Sequence, residues 1–262
     1  MSFHDSYVRT TPFELAFPDP QMARELWASI EEEAGTREVD LRDRQGFVML
    51  GSVGAFLRRL QGPDAPSESI HQYGALVYHA YHFARNGHRL HLLSTALCRA
   101  LALPEGTYAV PESPGEVGYV QLPRHLFWVR PAPDAPAEPV DGFFCTLSAG
   151  GVMQVLLAVG MRDDRPGLAV VPVPEAPWTD APSWVDSQVR ESAPDFESTL
   201  PGGELEELYS FEIAGEVLKF VARFLSYLAS SPEAAVDHEP ASAGSDGPRP
   251  SIHPFARVDL HA

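Results

Sequence analysis

The order of patterned segments predicts an α+β fold: an antiparallel, meander-like sheet of about five strands, packed by N-terminal helices and a long C-terminal helix. Three observations predict it. Helix-periodic runs fill the first hundred residues, and short β-rich runs crowd the interval 118–173. One long amphipathic segment then spans 204–230. The organisation that follows is a flexible N-terminal segment 1–18, a single α+β domain over 19–230, and a disordered Pro/Ser/Gly-rich tail over 231–262.

The first helix opens at Asp19-Pro20. A carboxylate there accepts free amide donors, and proline loses nothing in a first turn. Leu26, Trp27 and Ile30 give it an apolar stripe, and Gly35 follows the acidic run Glu31-Glu32-Glu33 as a stop signal. Residues 46–61 read as a second helix, with Phe47, Leu50, Phe56, Leu57 and Leu60 at helical spacing, although Gly46, Gly51 and Gly54 weaken it. After a linker at 62–67, Ser67 or Ser69 caps a longer helix through Arg85. Tyr73, Leu76, Val77, Ala80, Tyr81 and Ala84 form its stripe, and Asn86-Gly87 ends it in the left-handed region. Residues 88–93 read as a short strand or a turn. Ser94 caps a brief helix carrying Leu97, Cys98 and Leu101, stopped by Pro104.

The β-rich runs are 118–122, 126–130, 141–148, 151–159 and 168–173, each bounded by Pro, Gly or Asp. Ala149-Gly150-Gly151 joins two of them as an antiparallel hairpin. The run 152–159 is apolar at nearly every position, so it is buried on both faces and central. Pro123, Pro131 and Pro133 mark bends or an edge. Residues 174–203 read as a long wrapped loop with Trp178 and Trp184 as anchors. Ile213, Val217, Phe220, Val221, Phe224, Leu225 and Leu228 give the final helix one continuous apolar face.

Composition narrows the functional classes. The 262 residues carry 19 basic and 36 acidic side chains, a net charge of −17, with a sequence pI near 4.9. That balance disfavours direct binding to nucleic-acid backbones, which needs clustered positive charge. No apolar run reaches the roughly 20 residues of a spanning helix, and residues 1–10 lack an apolar signal core, so a cytoplasmic protein without membrane partners is expected. The acidic bias concentrates in 191–239, with 11 acidic and 2 basic side chains, a local charge of −9. This is either a solvated face or a means of steering a basic, nucleic-acid-binding protein partner.

Four histidines, His79, His82, His88 and His91, fall within 13 positions, two i, i+3 pairs flanking Asn86-Gly87. Neutral imidazoles at this spacing suit a metal-dependent enzyme. The plainer reading makes them polar members of the aromatic face of Tyr78, Tyr81 and Phe83, with no Asp or Glu inside the cluster and no HExxH pattern. Other chemistries lack their signatures: no GxSxG surrounds any serine, and neither GxxxxGK[ST] nor GxGxxG is present. Cys98 and Cys145 sit in apolar runs and read as buried structural thiols. Asp163-Asp164 reads as a turn and Glu206-Glu207 as a helix first turn, not as an acid–base pair. No catalytic residue and no cofactor is expected on these grounds. Trp178 and Trp184 are the candidate protein-binding residues.

The layout resembles a family of anti-CRISPR proteins directed against type V-A effector nucleases. The carrying residues are Leu103-Pro104-Glu105, Gly118-Tyr119-Val120-Gln121-Leu122-Pro123, the aromatic run Leu126-Phe127-Trp128-Val129, and Val140-Asp141-Gly142-Phe143-Phe144. The apolar strand 152–159 and the helix 204–230 complete them, over roughly residues 70–235. The resemblance implies a non-catalytic α+β protein that recognises the N-terminal segment of a nascent nuclease and lowers its production. The chain departs from the pattern at its end. The family's basic, His-, Arg- and Trp-rich C-terminal segment is replaced here by an acidic stretch and Pro248-Arg249-Pro250-Ser251-Ile252-His253-Pro254-Phe255. Two readings therefore stand: a non-catalytic protein-binding module, and a metal-dependent enzyme built on the four histidines. A partner that neutralises a neighbouring gene product is a variant of the first.

Overall fold

A computed structural model describes residues 10–61, 67–102, 118–123, 126–130, 136–148, 151–160, 168–173, 175–177, 183, 187, 202–230, 235–238 and 256–260. The described chain is α+β, as its patterning predicts. A mixed sheet lies between two sets of helices, with a separate apolar core on each face.

One face is covered by α1 (Pro12–Ala16), α2 (Pro20–Arg37), α3 (Arg44–Val48), α4 (Gly51–Gln61) and α5 (Ser67–Arg85). Local chemistry fixes their ends. Thr11 and Glu14 form a reciprocal capping box on α1, with Glu14 N donating to Thr11 Oγ1 at 3.2 Å and Thr11 N to Glu14 Oε2 at 2.7 Å. The segment read as a flexible lead-in is therefore packed from Thr11 onward, and Phe13 and Phe17 are wholly buried. Asp19 caps α2 through Gln21 N, as expected. The helix runs past Gly35 to Arg37 and ends where Glu38 adopts the left-handed region, φ 55°. The single helix expected at 46–61 is two. Asp43 caps α3 through Gln45 N and Gly46 N. Glu33, on α2, reaches across to accept from Gly51 N and Ser52 N at the start of α4, both at 2.8 Å. These bonds, with the Arg37 ion pair, hold the Glu33 carboxyl down at about 2.

The chain leaves α5 through Gly87 and His88, both at positive φ (77° and 54°), with His88 N bonded to Phe83 O. It enters β1 (Arg89–Leu93), and Ser94 then caps α6 (Thr95–Ala102) by accepting from Leu97 N. β2 (Tyr119–Gln121), β3 (Trp128–Val129), β4 (Glu138–Leu147), β5 (Val152–Val159), β6 (Ala169–Pro172) and β7 (Ala176–Pro177) follow. The long helix α7 (Gly202–Ser230) and two last strands, β8 (Ala235–His238) and β9 (Ala256–Leu260), complete the described elements.

The sheet order is β6-β5-β4-β2-β1-β9-β8, with β3 on β4 and β7 on β5. The half from β2 to β6 pairs antiparallel, and Ser148 and Gly151 close the β4–β5 hairpin as the glycine pair predicts. The expectation of a purely antiparallel sheet needs correction. β1 runs parallel to both β2 and β9. The β1–β2 pairing follows from α6, since a helical crossover returns the chain in its original direction. The expectation of a disordered tail fails at two places, because β8 and β9 extend the sheet within 231–262. Leu260 is wholly buried, and its carbonyl accepts from Ser94 N at 3.1 Å.

Side-chain alternation divides the strands between two cores. Leu90, Leu92, Tyr119, Phe144, Leu156 and Val170 face α1–α5, whereas Val120, Phe143, Cys145, Val155 and Leu157 face α6 and α7. β5 is buried on both faces, as its unbroken apolar run predicts, and lies inside the sheet between β4 and β6. A bulge between Val140 and Gly142 inserts Asp141 into β4 and resets its alternation. Val140 and Phe143 consequently face the same core. On α7, Val217, Phe220, Val221, Phe224 and Leu225 are buried, and Arg223 Nη1 donates to Leu101 O, tying the helix to the end of α6.

Candidate functional site

The histidines are separated by the sheet. His79 and His82 project from α5 on the face of the N-terminal helices, and His88 packs edge-on against Phe13 and Phe83 of that same core. His91, on β1, points through the opposite face to meet Phe224 of α7 edge-on, centroids 5.9 Å apart. Each ring has its own environment. His79 Nδ1 lies 2.9 Å from Thr146 Oγ1, and His82 Nε2 lies 3.0 Å from Leu41 O. Among the described residues no group of three or more His, Cys, Asp and Glu side chains is assembled that could hold a metal ion.

Burial governs how these groups titrate. His79 is held well below its usual range by desolvation, and the charges of His82 and Arg44 act in the same direction. His91 is lowered to about 4, first by desolvation and then by Arg89, against a hydrogen bond to the Tyr119 backbone. Both imidazoles are neutral at pH 7. Cys98 and Cys145 are free and buried, and desolvation pushes each thiol up to about 12. Neither supplies a thiolate at neutral pH.

A buried polar arrangement lies between α5 and the hairpin end of β4 and β5. Thr146 and Gln154 are cross-strand partners, and Thr146 meets His79. Gln154 Nε2 donates to Glu175 Oε1 at 3.2 Å, and Glu175 pairs with Arg44, partly exposed at the surface. The result is a polar seam from a fully buried imidazole to a surface ion pair. Tyr78 flanks it and donates from Oη to Arg42 O, and burial raises its phenol above the usual value. Sequence reasoning singled out His79 and missed Thr146, Gln154, Glu175 and Arg44. The signal was present: Gln154 is the one polar residue in the run 152–159, and a polar group on a strand buried on both faces needs a partner.

Trp178 and Trp184, the candidate anchors, and the pair Asp163-Asp164 lie outside the described residues, as do the side chains of Glu206 and Glu207. Among described large apolar side chains, Met49, Leu60 and Trp128 are the exposed ones. No described helix is long and apolar enough to cross a membrane. Compared with protein-family models, curated proteins and solved structures, the chain matches none.

Proposed function

We propose that this chain is a non-catalytic protein-binding module of the cytoplasm, an anti-CRISPR-like inhibitor that recognises a nuclease or its nascent chain. One observation carries the reading. Among the described residues, His79, His91, Cys98 and Cys145, side chains of types suited to acid–base or nucleophilic work, are buried and biased toward their neutral forms. Groups invested in this way stabilise a scaffold. The net charge of −17 favours a basic protein partner over a phosphate backbone.

Cell-free translation tests the reading. Messenger RNA for a type V-A nuclease is translated with and without the purified chain, beside an unrelated reporter. The expected result is less full-length nuclease at an unchanged reporter yield. Equal nuclease yields in both reactions contradict it.

A further inference from the structure

The stretch 44–61 differs in charge from the rest of the chain. It carries Arg44, Arg58 and Arg59 and no Asp or Glu, in a protein with 36 acidic residues. Arg44 is paired with Glu175. Arg58 and Arg59 are exposed on the last turn of α4, and among the described residues neither enters an ion pair.

The same surface is apolar. Two of the three exposed large hydrophobic side chains among the described residues bracket α4: Met49, 71% exposed, lies before it, and Leu60, 44% exposed, lies in its last turn. Val53, Phe56 and Leu57 hold the inner face of α4 in the core. Gly51, Ala55 and Arg58 recur at helical spacing on the outer face and are exposed. Arg58 folds back along that face, with Nη1 3.7 Å from where a Cβ on Gly54 would stand. The Arg59 guanidinium lies over the Phe56 ring, 5.6 Å from its centroid. Small residues flanked by two guanidinium groups let a second helix approach closely. Exposed apolar side chains beside cations fit an amphipathic helix that carries acidic residues.

The chain itself carries such a helix. The first turns of α7, residues 202–212, hold Glu204, Glu206, Glu207 and Glu212 and no Lys or Arg, interleaved with Leu205, Leu208 and Phe211. At 11 residues α4 matches this segment in length, about 16 Å of helix each. Antiparallel packing sets the arginines of α4 against Glu204, Glu206 and Glu207 and pairs the two helix dipoles favourably. The core-packed part of α7, from Val217 to Leu225, lies on the opposite face of the sheet from α4, so the contact is one between chains.

We propose that the outer face of α4 docks a second copy of this chain, and that the docked element is the acidic start of α7 from that copy. A twofold dimer makes the contact twice, α4 of each copy against α7 of the other, and leaves neither face open. This association is separate from recognition of a nuclease and stands or falls on its own.

Sedimentation velocity of the full-length chain across a wide concentration range tests it. A concentration-dependent monomer–dimer equilibrium is expected, and raising the salt to about 0.5 M should weaken it roughly tenfold. A parent chain that stays monomeric at every concentration overturns the proposal, and that measurement needs no variant. Charge reversal then identifies the surfaces. Arg58→Glu with Arg59→Glu sets acid against acid, and Glu206→Arg with Glu207→Arg sets base against base, so each variant alone should be monomeric. Mixing the two variants restores opposite charge at both contacts and should restore the dimer. Dimerisation of either variant alone, or a mixture that stays monomeric while both chains melt like the parent, overturns it.

Discussion

His91 makes the stability of this chain depend on pH in a way that can be isolated. Its ring is 4% exposed, lies against Phe224, and titrates at about 4 in the folded chain, against 6.5 for a free imidazole. Between those values the unfolded chain binds more protons than the folded one, so stability falls as pH falls. The stabilisation is fully present above 6.5 and is used up by pH 4. The difference is 2.5 units, which at 1.36 kcal/mol per unit is about 3 kcal/mol. His91→Leu has comparable volume and no titration. Urea unfolding, followed by tryptophan fluorescence from pH 7.5 to pH 4, gives both profiles. Carboxylates and His79 titrate alike in the two proteins and cancel in the difference. Stability of the parent relative to His91→Leu should drop by about 3 kcal/mol between pH 7 and pH 4. Parallel profiles would refute the reasoning, because they would mean that the ring is hydrated or paired in the folded chain.

Other perturbations test the fold around it. Glu38 is exposed and caps α2 at φ 55°, so Glu38→Gly should raise stability by about 0.5–1 kcal/mol in urea unfolding. At Gly142 a Cβ would meet the Tyr119 hydroxyl and the Val120 carbonyl inside contact distance. Gly142→Ala should therefore cost about 1–3 kcal/mol by the same assay. Glu33→Ala removes the two bonds that cap α4 from another helix and should cost about 1 kcal/mol, with the fastest amide exchange appearing at Gly51 and Ser52. Deleting residues 256–262 takes β9 from beside β1 and exposes the site of Leu260, whose side chain alone contributes about 2 kcal/mol; a melting temperature equal to the parent's would show that β9 does not belong to the sheet.

Local signals made much of this architecture legible. Asn86-Gly87 and Ser94 mark helix boundaries through bonds made within a few residues, and those boundaries stand where the sequence puts them. The β4–β5 hairpin is equally local, and the unbroken run 152–159 states its own two-sided burial. What escaped is non-local. Nothing in Arg89–Leu93 names Ala256–Leu260 as its neighbour, and that neighbour is a short run in Pro- and Ser-rich surroundings. The end of α2 moved from Gly35 to Glu38, and α4 found its cap on another helix. The histidine spacing invited a cluster, but one turn and one strand carried His91 to the other side of the sheet. The seam at His79 was half visible: the imidazole and Gln154 were each odd in their runs, and only the pairing of β4 with β5 brings Thr146 between them.

The account rests on histidines that serve as interior, neutral packing groups. Ring nitrogen spectra of the purified chain at neutral pH, recorded before and after addition of zinc, test this most directly. The account predicts that His79 and His91 are each neutral in a single tautomer and that zinc leaves both unchanged. Stoichiometric zinc binding that shifts these rings, and is lost on His82→Ala, would contradict it.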